Sequence, residues 1–173
     1  MPKAKPGPPI APEVLDGALR AQGARPTPQR RAIFAALSSR LDHPTAETLH
    51  RAVRHRIPGL SLATVYTTLE ILVGAGLAGR LVGPDGVARY DARTDGHDHR
   101  RCLVCGRIDD IDRPAVESPL PAYASAGFRP VAYRIEVTGY CADCQTRVGA
   151  TSETGEARPP SRPVHPPTQG ENR

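Results

Sequence analysis

The stretch Ser61-Leu62-Ala63-Thr64-Val65-Tyr66-Thr67-Thr68-Leu69-Glu70-Ile71-Leu72 decides how the first half of this chain is read. Ser61 is a helix-capping residue, and Leu62, Val65, Leu69 and Leu72 recur at the helical period, giving one apolar stripe. The outer face carries Thr64, Tyr66, Thr67 and Thr68, which makes it rich in hydroxyls. Upstream, Pro58-Gly59 ends a helix capped by Thr45 with Leu49 and Val53 inward. His43-Pro44 breaks the helix before it, which Thr27 caps, Pro28 opens, and Ile33, Phe34, Leu37 and Leu41 bury. A first short helix, Glu13 to Gln22, stops at Gly23. Downstream of Gly76 come two strands, Ala78 to Val82 and Val87 to Asp91, joined by the turn sequence Gly83-Pro84-Asp85-Gly86. Helices followed by a hairpin predict a winged helix-turn-helix whose recognition helix begins at Ser61 or Leu62 and enters the major groove of DNA. A small helical bundle with Tyr66 in its core is the competing reading.

The charge distribution agrees with a polyanion partner for that half. Residues 1–91 hold 12 Lys/Arg against 7 Asp/Glu, whereas 92–148 hold 8 against 8 and 149–173 hold 3 against 3. The whole net charge of +5 is therefore N-terminal, a modest value that also suits an ordinary globular domain. No apolar run approaches the roughly 18 residues of a membrane span, and Met1-Pro2-Lys3-Ala4-Lys5-Pro6 has no signal-like apolar core. A cytoplasmic protein without a membrane partner is expected. Residues 1–12 and 149–173 each contain five prolines, and both ends read as disordered, a short arm and a Pro/Gly-rich tail.

All four cysteines fall in two CxxC pairs, Cys102/Cys105 and Cys141/Cys144. Two such pairs can close a tetrahedral Zn²⁺ shell with nothing left for substrate, which makes a structural site; two disulfides are the alternative. The intervening loop must hold structure of its own, here a strand from Phe128 to Thr138 with a short helix before it. Just ahead of the cysteines lie Asp91, His97, Asp98 and His99. On a strand His97 and His99 share a face, and mixed imidazole and carboxylate ligands suit Fe²⁺ or Mn²⁺ as well as Zn²⁺. A lone histidine is more often a solvated or hydrogen-bonded side chain, and His50, His55 and His165 read that way.

Seven stretches in order, Arg25-Pro-Thr-Pro-Gln-Arg30, Asp42-His-Pro-Thr-Ala-Glu47, Leu60-Ser-Leu-Ala-Thr-Val-Tyr66, Arg89-Tyr-Asp91, His97-Asp-His99, Cys102-x-x-Cys-Gly106 and Gly139-Tyr-Cys-x-x-Cys144, resemble the ferric uptake regulator family of metal-dependent repressors. The resemblance spans about residues 13–147. It implies an α+β homodimer, with a winged-helix DNA-binding domain over 13–91 and a small α/β metal-binding dimerisation domain over 92–148. It makes Cys102, Cys105, Cys141 and Cys144 a structural zinc site, and His43, Asp91, His97, His99 and Asp110 a regulatory Fe/Mn site. DNA contacts are expected from Arg25, in the minor groove, and from Ser61, Thr64, Tyr66 and Thr67.

Within the family, the six-residue interval from Asp91 to His97 and the use of Asp for both end acids look like the peroxide-responsive branch. His43 and His97 then occupy the positions oxidised by peroxide. The zinc-uptake branch is the alternative, but it places a cysteine in its sensing site and this chain has none to spare. Gly96 and Tyr133 stand where another metal site of some iron regulators has histidines. Thr67 stands where many relatives have Arg or Asn, and Pro119 and Pro121 interrupt the expected dimer-domain helix. Outside this family, a zinc-dependent hydrolase would need an open coordination position with a general base, and a purely structural zinc module would bind a protein partner. Neither has a supporting motif, and no enzymatic activity is expected.

Overall fold

Three helices begin on side-chain caps that the sequence places correctly. The computed structural model describes residues 10–83, 85–113 and 118–148. In it, helix α1 (Pro12–Ala21) is followed by α2 (Pro28–Ser38), α3 (Ala46–Val53) and α4 (Leu62–Gly74). Thr27, Thr45 and Ser61 accept from the backbone N–H groups of Arg30, Thr48 and Thr64 at 3.3, 3.3 and 3.1 Å. Each cap satisfies a donor that the first helical turn leaves unpaired. Gly23, with φ +69°, turns the chain between α1 and α2.

The apolar stripes of these helices meet in one core built on Leu19, Ile33, Leu37, Leu49, Val65, Leu69 and Leu72, all fully buried. Each large aliphatic side chain contributes roughly 1.5–3 kcal/mol by leaving water. Strands β1 (Gly79–Val82) and β2 (Ala88–Asp91) form the antiparallel wing, with Gly79 opposite Asp91 and Val82 opposite Ala88. Tyr90 of β2 is buried against the helices and donates to Glu70 of α4 at 3.2 Å. The wing is thereby fastened to α4.

Several expectations are corrected. Helix α2 stops at Ser38 and leaves Leu41 exposed, because the hydroxyls of Ser38 and Ser39 turn back onto the carbonyls of Ala35 and Ala36. Thr68 is not on the outer face: it is buried, and its hydroxyl is satisfied by the Thr64 carbonyl at 2.7 Å. The disordered arm expected to reach residue 12 does not, since Ile10 packs on the core and α1 begins at Pro12. The rest of that arm, residues 1–9, and the tail, 149–173, lie outside the described residues.

The second half is a three-stranded sheet in the order β4-β3-β5, from β3 (His97–Cys102), β4 (Ile108–Asp112) and β5 (Glu136–Gly139). Strand β4 runs antiparallel to β3 and β5 runs parallel to it. The central strand reads His-Asp-His-Arg-Arg-Cys and is buried at every position but Arg100. A buried strand of that composition cannot be held by apolar burial; its polar groups need partners or ions. The strand expected over Phe128–Thr138 is shorter, and the helix expected before it is one 3₁₀ turn, Leu120–Tyr123. Pro119 and Pro121 remove the N–H groups that a longer helix needs. Helix α5 (Ala142–Val148) starts immediately after Cys141. No helix among the described residues is long and apolar enough to cross a membrane.

One contact ties the α2–α3 turn to the wing, and another brings the sheet against the wing's turn. Tyr90 N–H donates to the Pro44 carbonyl at 3.0 Å, holding the turn between α2 and α3 against β2. Arg101 of β3 makes a bidentate pair with Glu136, both bonds 2.9 Å, and its guanidinium lies against Gly83, where a Cβ would come within 2.7 Å of Nη1.

Candidate metal centres and nucleic-acid interface

The two CxxC pairs come together because β3 delivers Cys102 beside Gly139 of β5, two residues before Cys141. Their four sulfurs lie within 4.8 Å of one another, with Cys105 Sγ and Cys141 Sγ 3.8 Å apart. All four are free thiols, so the disulfide alternative does not hold. A tetrahedron with Zn–S bonds of about 2.3 Å has edges of about 3.8 Å, whereas a disulfide needs about 2.05 Å. Backbone N–H groups of Cys105 and then Cys141 favour the Cys102 thiolate, pulling its pKa down to about 6; Cys141 N–H lies 3.4 Å from that sulfur. Burial, then the neighbouring thiols, push Cys144 up to about 12. Four sulfurs this close can all be thiolates only around a cation, and the donor set fits Zn²⁺.

The second cluster gathers His43, Asp91, His97, His99 and Asp110, each less than a tenth exposed, with one ligand atom from each inside 4.8 Å. Strand geometry accounts for three of the five. His97 and His99 are two apart on β3, and Asp110 pairs with His99 across the β3–β4 ladder, so all three face the same way. Asp91 ends the wing, and His43 arrives from the turn that Tyr90 holds.

His43 Nε2 lies 2.7 Å from Asp110 Oδ1, His97 Nε2 lies 3.0 Å from Asp91 Oδ2, and His97 and His99 Nε2 lie 3.0 Å apart. His43 to Asp91, His97 to Asp110, and His99 to Asp91 and to Asp110 are separated by 3.6–3.8 Å. Ligands at about 2.1 Å from one ion are about 3.0 Å apart at right angles and about 3.7 Å apart near 120°. His43 Nε2 and Asp110 Oδ1 are both buried without a well-formed hydrogen bond. They approach as two ligands do, not as donor and acceptor. His97 Nδ1 faces the Asp95 carbonyl at 2.8 Å, which fixes the proton there and leaves Nε2 free to coordinate. Burial would raise Asp91, but His99, the Arg93 backbone N–H and the other imidazoles outweigh it and hold the carboxyl below its usual range. These residues fit a divalent cation.

His43 has φ +48°, and among the described residues it alone takes a positive φ without being glycine. Such a conformation costs of order 1–3 kcal/mol and persists only where surroundings impose it. Sequence reasoning did not find the shell around this cluster. Asp98, grouped with the ligands by proximity, points to the other face of β3 and pairs with Arg113 at 3.0 Å; Arg113 also stacks on Tyr133. Strand alternation is the signal that would have separated Asp98 from its neighbours. Arg93 pairs with Asp95 and Asp112 at 2.9 and 2.6 Å beside Asp110, and no sequence pattern marks it. His50 bonds the Leu60 carbonyl at 2.9 Å and His55 is exposed, as their bland reading requires, while His165 lies outside the described residues.

Helix α4 and its cap present Ser61, Tyr66 and Thr67 to solvent, with Thr64 half-buried. Ser61 and Thr64 hydroxyls pair at 2.8 Å, and the Thr67 hydroxyl bonds the Ala63 carbonyl at 3.0 Å. Tyr66 donates to Glu47 of α3 at 2.5 Å. Arg25 is exposed on the α1–α2 turn, where Arg20 and Arg31 line the same depression.

The fold recurs in solved structures. The Helicobacter pylori ferric uptake regulator superposes with a TM-score of 0.66 at 23% identity over 82% of this chain and 93% of its own. A zinc-bound manganese uptake regulator matches with a TM-score of 0.56 at 32% identity, covering 74% of this chain and 98% of its own. The peroxide operon regulator of Bacillus subtilis (strain 168) is 35% identical over 131 residues, 75% of this chain and 90% of its length. The model of the Ferric uptake regulator family matches residues 21–138, which include the capped α2, α3 and α4, the wing, all five residues of the imidazole–carboxylate cluster and the first CxxC pair. With a winged helix joined to a thiol-clustered mixed sheet and that match over most of its length, this chain belongs to the ferric uptake regulator family.

Proposed function

We propose that this chain is a metal-dependent transcriptional repressor that binds double-stranded operator DNA as a homodimer, with Zn²⁺ in the four-cysteine site and Fe²⁺ or Mn²⁺ in the five-ligand site. It acts by binding, not by turnover. The observation that carries the reading is the shared cluster: His43 comes from the helical half, while His97, His99 and Asp110 come from the sheet. An ion there would neutralise Asp91 and Asp110 and, as Fe²⁺, react with peroxide. Holding His43 to the sheet also holds α3 and the helix it packs against. A coupling of about 1–3 kcal/mol between such sites changes DNA affinity by 5- to 150-fold. Residues 13–91 read the DNA and 92–148 dimerise; the exposed Phe128, Val131, Ile135, Val137 and Tyr140 support an apolar face for a second copy.

The absence of a thiolate from the five-ligand cluster favours Fe²⁺ or Mn²⁺ over Zn²⁺ as the regulatory ion. Peroxide sensing is supported by the 35% identity to the peroxide operon regulator, and manganese sensing by the 32% identity to the manganese uptake regulator. One experiment separates them. The zinc-loaded protein is titrated onto operator DNA with Fe²⁺, Mn²⁺ or Zn²⁺, before and after mild peroxide. With Fe²⁺, the peptide containing His43 or His97 should gain one oxygen and DNA should be released; with Mn²⁺ neither should happen. Iron-dependent binding that survives peroxide, with no histidine oxidised, leaves a metal-uptake regulator.

The DNA face makes a further prediction. Tyr66→Ala and Arg25→Ala should each lower operator affinity, by roughly 1–3 kcal/mol if each makes one good contact, and binding should fall with salt. Wild-type affinity in both variants, measured by anisotropy, would place the recognition surface elsewhere.

A further inference from the structure

The phenol of Tyr66 sits on the face expected to meet DNA, yet its hydroxyl is held by a carboxylate. Tyr66 donates to Glu47 Oε1 at 2.5 Å, joining the second turn of α4 to the first turn of α3. That same first turn is a short, stiff continuation of the metal cluster. His43 is followed by Pro44, whose carbonyl is fixed by Tyr90 N–H, then by the cap Thr45, the buried Ala46 and Glu47 itself. Proline and an engaged cap leave little torsional freedom over these residues. A shift of the His43 turn therefore moves Glu47, and with it the acceptor that aims Tyr66.

A carboxylate on a surface that meets phosphates repels them, so a Glu47 with no other role would weaken DNA binding. We propose that Glu47 is a positioning residue for DNA reading: it aims Tyr66 and transmits the state of the His43 turn to the recognition helix. This rests on the metal-dependent repressor reading above and adds the link between its two sites.

The two views predict opposite signs. The probe is a pseudo-palindromic duplex selected from a random library by the Mn²⁺-loaded wild type, titrated with the full-length zinc-loaded dimer with and without Mn²⁺. Glu47→Ala should lose roughly 3- to 10-fold of the Mn²⁺-dependent affinity, the range for one partly exposed hydrogen bond to a charged group. Its Mn²⁺ affinity should be unchanged. Glu47→Gln, which keeps an acceptor and removes the charge, should retain the gain and bind as tightly as wild type or tighter. Tyr66→Phe should lose what Glu47→Ala loses, and the double variant should lose no more than either alone. Unchanged or tighter binding by Glu47→Ala, or additive losses in the double variant, overturns the proposal while leaving metal-dependent repression intact. A wild type indifferent to Mn²⁺, Fe²⁺ and Zn²⁺ overturns the functional reading, and this link with it.

Discussion

A Cys141→Ser protein should lose its zinc and, with it, the fold of the C-terminal sheet. Strand β3 ends at Cys102, β5 leads to Cys141, and α5 carries Cys144, so the sulfurs tie α5 to two strands that are otherwise joined by a short ladder and the Arg101–Glu136 pair. The buried apolar residues here among those described are Ile108 and the two cysteines Cys102 and Cys144. Zinc binding at comparable sites is worth about 10–16 kcal/mol, more than the entire stability of many small domains. The helical core around Leu49 and Leu69 has its own apolar packing and should persist, so thermal unfolding should show two transitions, with the sheet's transition lost together with the metal. Zinc content by native mass spectrometry and melting by circular dichroism test this together. A Cys141→Ser dimer with full zinc and an unchanged melting temperature would sink the assignment.

His43→Ala should keep zinc, dimer and weak non-specific DNA binding, and lose the 5- to 150-fold gain in operator affinity expected from Fe²⁺ or Mn²⁺. Every other member of the cluster lies on the wing or the sheet, so His43 is the side chain through which an ion would grip the turn between α2 and α3. His43→Gly serves as the control for backbone strain, because glycine accepts φ +48° without penalty. If ligation is what matters, both variants lose the metal response equally, though the glycine variant relieves the strained turn. Should His43→Gly keep the response that His43→Ala loses, backbone geometry and not coordination controls the switch.

Much of the fold was legible in local chemistry. Thr27, Thr45 and Ser61 act within three residues of themselves, so caps and helix starts follow from sequence spacing alone. The Cys pairs are legible for the same reason, since a tight turn sets the bite of each. Where prediction failed, a non-local or competing local bond had taken over. Serine hydroxyls ended α2 early and Thr68 was drawn inside once Thr64 satisfied its hydroxyl, whereas the interruption by Pro119 and Pro121 of the helix before β5 was legible in the sequence.

By itself the sequence determined the winged helix, the thiol pairs and the ladder of His97 and His99, because helical and strand periods and CxxC spacing are properties of neighbouring residues. The family resemblance grouped His43 with Asp110, but no residue spacing did, and the tertiary structure decided how residues outside those local patterns face one another. It set His43 2.7 Å from Asp110, turned Asp98 away towards Arg113, and joined Glu47 to Tyr66 across 19 positions. Those contacts depend on register between β3 and β4 and on how α3 packs against α4. Both are fixed by burial summed over the whole chain, so no single motif could announce them.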